Sequence, residues 1–209
     1  MDEILINTST VGNQTQPAIT GFRGTQFVAV WEDLNDGNIR GQMLSPDGTK
    51  TSNEFLVNVP DKPNTKRQRP AIVETPLGFA VAWNEQLPGG VPQLKLRAFD
   101  GDTLSGPEIQ VSSAQVEPLI RPAMTRLGDG GFVTVWADAR ADDRIRAQRF
   151  GLEGEKAGPE FRANTRYRCP SGRKYGQLSA TSLSLASGAI TSWGVPAASV
   201  TRYSLFWFS

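Results

Sequence analysis

The chain has no histidine and a single cysteine, Cys169, in 209 residues. The first absence removes the commonest general base, the Ser-His and Cys-His nucleophile pairs and most zinc sites. The second rules out an internal disulfide. Net charge is missing too: 22 Lys and Arg against 21 Asp and Glu leave +1. No global field therefore draws the chain to nucleic acid or to an anionic membrane, and neither partner is expected. No apolar run approaches the roughly 20 residues of a membrane span. The opening Met-Asp-Glu-Ile-Leu-Ile-Asn has neither the basic nor the apolar region of a signal peptide, so localisation stays open.

What the sequence has is turns and repetition. It carries 21 Gly and 14 Pro beside 38% hydrophobic residues, a turn-rich chain that can still bury a core. Pro17-Ala18-Ile19-Thr20 leads to Phe27-Val28-Ala29-Val30-Trp31, and Pro70-Ala71-Ile72-Val73 to Phe79-Ala80-Val81-Ala82-Trp83. Pro122-Ala123-Met124-Thr125 leads to Phe132-Val133-Thr134-Val135-Trp136, and a worn copy, Ser179-Ala180-Thr181-Ser182, leads to Trp193. A third strand follows each Trp, over 39–44, 94–99, 145–150 and 201–206. A fourth follows in three units, over 54–58, 108–112 and 160–164, after turns such as Pro46-Asp47-Gly48. Glu3-Ile4-Leu5-Ile6-Asn7 has the same pattern as these fourth strands. The expectation is all-β: one four-bladed β-propeller domain over 1–209. Its blades cover about 8–58, 59–112, 113–164 and 165–209 plus 2–7, so that the N-terminal strand closes the last blade. A dimer joined through the same ends is the rival.

Pro122–Trp136, continued by Arg146-Ala147-Gln148-Arg149-Phe150 and Gly158-Pro159-Glu160-Phe161, resembles the tandem repeats of large bacterial surface and secreted proteins. Those repeats are similar to propeller blades. The resemblance implies a scaffold and suggests an extracellular or cell-surface setting; it implies no chemistry.

The candidate site residues are cations. Aligning the third strands puts Arg40, Lys95, Arg146 and Arg202 at one position, and Gln42, Arg97, Gln148 and Ser204 at the next on the same face. Arg166, Tyr167, Arg168, Arg173, Lys174 and Tyr175 form a basic, tyrosine-rich stretch before the fourth unit. The functional reading makes these a glycan or polyanion surface. The structural reading packs each third-strand cation between blades against a carboxylate. The tryptophans read first as inter-blade core and second as sugar platforms. Asp33-Leu34-Asn35-Asp36-Gly37-Asn38 reads as a plain turn, because a calcium loop would need a closing Glu.

No motif fixes a catalytic carboxylate pair. The function expected from sequence is therefore a non-enzymatic, lectin-like binding or adhesion module, with no cofactor or metal and with a glycan, anionic polymer or protein as partner. A glycosidase working through two carboxylates and a purely structural repeat that oligomerises are the alternatives.

Overall fold

The computed structural model describes residues 3–101, 103–104, 106–118, 120–139, 144–168 and 174–178. All elements among them are strands. The first sheet runs β1 (Gln14–Phe22), β2 (Gln26–Asp33), β3 (Asn38–Leu44) and β4 (Phe55–Leu56), in that spatial order. The second is β5 (Lys66–Glu74), β6 (Phe79–Gln86) and β7 (Gln93–Asp100), with β8 (Thr103–Leu104) and β9 (Ile109–Gln110) both along β7. The third is β10 (Ala123–Arg126), β11 (Phe132–Asp138), β12 (Arg144–Phe150) and β13 (Phe161–Arg162). A two-stranded ladder, β14 (Asn164–Arg168) with β15 (Lys174–Leu178), follows. Every pairing is antiparallel, as short turns between consecutive strands require.

The sheets are propeller blades packed face to face, and the residue pattern explains why. Second strands such as Phe79–Trp83 are apolar on both faces, and all five of these residues are 0% exposed. One core joins Phe22, Val28, Val30, Ile39 and Val57 of the first blade to Phe79, Val81, Trp83 and Phe99 of the second. The next joins Ala82, Leu94, Leu96 and Val111 of the second blade to Phe132, Trp136 and Phe150 of the third. Trp83 and Trp136 each fill such a core, and Trp31 is buried with Ala29, Leu44, Phe27 and Ile6; Trp193 lies outside the described residues.

The outer strands are shorter than the sequence suggests, two paired residues each. The reason is that a side chain takes over from the backbone at their ends. Asn58 Oδ1 accepts Ile39 N–H at 2.7 Å, Ser112 Oγ accepts Leu94 N–H at 3.1 Å, and Asn164 Oδ1 accepts Ile145 N–H at 2.9 Å. At the other end a glutamate ties each outer strand to the first residue of its unit. Glu108 accepts Val59 N–H at 3.3 Å, Glu160 accepts Ser113 N–H at 2.9 Å, and Glu54 accepts Thr8 N–H at 2.6 Å. Thr8 thus stands where Val59 and Ser113 stand. Ile6 packs beside Trp31 as Val57 does in the Trp83 core and Val111 in the Trp136 core.

Residues 3–7 themselves carry no ladder among the described residues. The segment expected to pair with them, 201–206, lies outside those residues.

Candidate functional site at the axial end of the inner strands

β1, β5 and β10 are the inner strands, and the first two lie side by side between neighbouring blades. Each unit is interrupted at the same level. In the first blade the β1–β2 register shifts between Thr15 and Ala18, so Gln16 and Pro17 together face Trp31. In the second it shifts between Gln68 and Ala71, so Arg69 and Pro70 face Trp83. In the third, Glu117 N–H donates to Ala137 O at 2.9 Å, and pairing resumes only at Ala123 with Val135. The stretch opposite Trp136 is therefore longer and ends in Arg121-Pro122. One extra residue in one strand is a β-bulge, a device that bends the strand and re-aims a side chain.

The bulges are strained. Gln16 has φ 54° and Arg69 has φ 56°, left-handed values at non-glycine residues. Each precedes a proline, which favours extended backbone instead. Residues held this way cost about 1–3 kcal/mol each and gather at functional sites.

These positions meet across the units. Arg121 crosses from the third unit to the first, donating to Pro17 O and Gln16 Oε1, both at 3.0 Å. Glu32, next to Trp31 on β2 and only 3% exposed, accepts Arg69 N–H at 2.5 Å and the Thr15 hydroxyl at 3.3 Å. In the second unit Asn84 takes the place of Glu32 and donates to the carbonyls of Pro118 and Ile120 at 3.3 and 3.1 Å. Glu117, half-buried, is at the foot of the third interruption. The main chain at Arg69 and Glu117 and the side chains of Gln16, Glu32 and Arg121 thus come to one level of these strands.

The residues singled out in the sequence lie elsewhere. Arg40 is ion-paired with Asp33 (2.9 Å), Asp36 (2.6 Å) and Glu54 (3.1 Å). Arg146 meets Asp138 at 3.5 Å and Glu160 at 3.4 Å, and Lys95 is 3.9 Å from Glu85. At these three positions each cation is paired with a carboxylate. The same-face neighbours behave alike: Gln42 donates to Ser52 O, Arg97 to Gly106 O and Gln148 to Gly158 O, each closing the loop between third and outer strands.

Burial pushes the Asp36 carboxyl up, but hydrogen bonds from Asn38 and Arg40 outweigh it and hold it below its ordinary value; Arg40 is raised in turn. Asp33 Oδ1 accepts the Asn35 N–H and Asp36 Oδ1 the Asn38 N–H, each closing a turn within this loop.

Arg166, Tyr167, Arg168, Lys174 and Tyr175 fall on the β14–β15 ladder, not in a loop. Tyr167 is directly opposite Tyr175, and Arg168 opposite Lys174. Arg173 and Arg202 lie outside the described residues. Two shallow concavities are also away from the axis: about 280 Å³ beside Asp129, Arg149 and Glu155, and about 650 Å³ beside Thr8, Arg40 and Glu54.

Sequence reading missed the axial cluster. Glu32 reads as one acidic loop residue among several, and the recurring Pro marks the start of a motif without pointing at the residue before it. The available signal is that Gln16, Arg69 and Arg121 each precede the repeat proline.

No family profile matches the chain, and no curated protein matches it. Among solved structures, the fold is similar to a GH43_1 enzyme from Xanthomonas citri complexed with xylose, with TM-score 0.50 and 15% identity over 75% of this chain and 56% of that one. Weaker likenesses are a GH43 β-1,3-galactosidase with galactodeoxynojirimycin (TM-score 0.47, 10% identity, 76% of this chain and 66% of that one) and an endo-arabinase from Bacteroides thetaiotaomicron (0.43, 14%, 85% and 66%). The chain spans just over half the length of the xylose-bound enzyme. The likeness bears out the propeller part of the repeat resemblance; surface repeats have no counterpart among these structures.

The likeness to the GH43_1 enzyme corrects the expectation of a non-enzymatic, lectin-like module, because there the same fold carries an enzyme. That expectation leaned on missing histidine and on the lack of a motif fixing two carboxylates. Glycoside hydrolysis needs neither, since its carboxyl groups come from separate strands and meet only in the folded chain.

Proposed function

We propose that this chain is a glycoside hydrolase, or the part of one that holds the sugar, with the glycan bound at the axial end of the inner strands. The observation that carries this reading is the interruption of three inner strands at one level, which gathers Glu32, Glu117, Gln16, Arg69 and Arg121 on a propeller similar in fold to a xylose-bound hydrolase. The chemistry asks for two carboxyl groups and hydroxyl-directed hydrogen bonds. Glu32 is the fixed carboxylate, oriented by Thr15 and the Arg69 N–H. Glu117, half open to solvent, is the partner that exchanges a proton with the leaving oxygen. Gln16 and the arginines supply donors to sugar oxygens. The test is turnover of aryl xylosides, galactosides, arabinofuranosides and glucuronides. Glu117→Gln and Glu32→Gln should each lower kcat by at least 100-fold, about the scale of acid–base catalysis, while Asp36→Asn should leave it unchanged. No turnover on any of these substrates, or turnover indifferent to both glutamates, defeats the reading.

The finer architecture is also a proposal: a ring of four blades in which residues 3–7 are the outer strand of the last blade. Its support is the threefold repetition of contacts in which Thr8 matches Val59 and Ser113, and Ile6 matches Val57 and Val111. Arg40 is opposite Leu56 and Arg146 opposite Arg162. On this proposal Leu5, which matches Leu56 in the outer-strand pattern, takes Arg202 as its counterpart of Arg40. In a Cys169→Ser background, Leu5→Cys with Arg202→Cys should give an intramolecular disulfide. A disulfide-linked dimer would mean that two chains exchange this strand.

A further inference from the structure

The net charge of +1 is divided unevenly along the chain. Residues 161–209 have the cations Arg162, Arg166, Arg168, Arg173, Lys174 and Arg202 and no Asp or Glu. All 21 carboxylates therefore lie in residues 1–160, which are net acidic. A charge step of this kind within one chain marks a part that meets an oppositely charged partner. Arg166, Arg168 and Lys174 fall on the β14–β15 ladder, and its register sorts them. They share one face with Asn164, Gly176 and Leu178, while Tyr167 and Tyr175 share the other with Thr165 and Gln177. Arg168 is directly opposite Lys174, a like-charge cross-strand pair of the kind that destabilises a ladder. Neither strand has an acid to offset it. β14 also lies against β12, which adds three arginines and no acid. The carboxylates beside β12 are already engaged, Asp138 and Glu160 with Arg146 and Asp129 with Arg149.

We propose that the cationic face of the β14–β15 ladder holds a linear acidic glycan by its carboxylate or sulfate groups, as a second binding surface outside the axial site. The patch is narrow. The Cα atoms of Arg166 and Arg168 are about 7 Å apart along one strand, and Lys174 is about 5 Å across from Arg168. That shape suits one polymer chain, not a membrane surface. The planar fork of Arg matches an oxyanion through two parallel N–H donors. The same register argues against a single-stranded nucleic acid, which stacks its bases on aromatic side chains beside its phosphate contacts. Here the tyrosines and the cations are on opposite faces. The choice of a sugar chain rests on the hydrolase reading; the choice of an anion does not.

Fluorescence anisotropy with labelled hexagalacturonate, a sulfated galactan hexamer, xylohexaose and an oligothymidylate of matched charge tests it, across a salt series. An acidic hexamer should bind about tenfold more tightly than xylohexaose and weaken as salt rises; which of the two binds identifies the oxyanion. Arg168→Glu is the decisive variant. It puts opposite charges across the ladder, so stability in urea should hold or rise, while acidic binding falls about tenfold or more. Xylohexaose binding and turnover of aryl glycosides should not change. Arg166→Gln leaves the opposed pair alone and should weaken acidic binding by a smaller factor; it carries the test if Arg168→Glu lowers stability. Arg126→Glu, the same charge reversal at an exposed residue of β10, is the control and should bind like the native chain. Acidic binding that survives both ladder variants, or that Arg126→Glu removes equally, overturns the inference and leaves the hydrolase reading standing. Failure of both acidic hexamers to outbind xylohexaose does the same, as does tighter binding of the oligothymidylate, which would give the face to nucleic acid. Acidic binding lost only in the ladder variants, in a chain that cleaves no glycoside, would keep this surface and defeat the hydrolase reading.

Discussion

The outer rim and the axial end of this propeller are built from the same repeat, but they treat it in opposite ways. At the rim the units are near copies. A glutamate accepts the N–H of its unit's first residue three times over, at Glu54, Glu108 and Glu160, and a short polar residue accepts the third-strand N–H at Asn58, Ser112 and Asn164. At the axis the units share only an interruption. Its contents are Gln16-Pro17 in one, Arg69-Pro70 in the next and a longer stretch ending Arg121-Pro122 in the third. Contacts that recur are those that any blade needs in order to pack. Contacts that diverge at a recurring position are free to serve a ligand.

Mutations at the two ends should therefore separate stability from binding. The largest loss belongs to the core between blades. Trp83 is fully buried beside Phe79 and Val81, and Trp83→Ala should cost about 3–5 kcal/mol in urea unfolding. Next comes the rim. Glu54 is tied to both the Thr8 N–H and Arg40, and Glu54→Ala should cost about 1–3 kcal/mol with no effect on sugar binding.

The sign should reverse at the axis. Gln16 sits at φ 54°, a conformation that glycine adopts without steric cost. Gln16→Gly should thus raise stability by up to about 1 kcal/mol while weakening glycan binding. A Gln16→Gly chain that is less stable, or that binds as before, would break the contrast drawn here.

The smallest effect is electrostatic. Asp36 has a folded-state pKa below its ordinary value of 3.8. Its contribution is fully present above that value and is lost as pH falls through the depressed folded pKa. Asp36→Asn should flatten the acid limb of a stability–pH curve below about pH 4. The change is modest because the group is partly exposed and screened.

How much of this was legible in the sequence follows the same division. The apolar runs ending at Trp31, Trp83 and Trp136 announce second strands buried on both faces, and the third strands lie within a residue of their expected limits. Outer strands were overestimated because Asn58 and Asn164 look like strand ends but bond through their side chains. The axial site was hidden for a different reason. A residue before proline reads as extended, so nothing local marks Gln16 or Arg69 as left-handed. The partner of Arg121 is 104 residues away at Pro17, a distance no motif spans. Glu32 likewise takes a hydrogen bond from the next blade's strand, at the Arg69 N–H.

The most direct test of the central claim, that the diverging axial end is a glycan-cleaving site, is the rate of glycosidic bond cleavage by the native chain beside Glu117→Gln and Glu54→Ala. The account expects turnover that Glu117→Gln abolishes and Glu54→Ala leaves intact at a temperature where both are folded. Turnover that survives Glu117→Gln, or a native chain inert toward every glycoside offered, would contradict it.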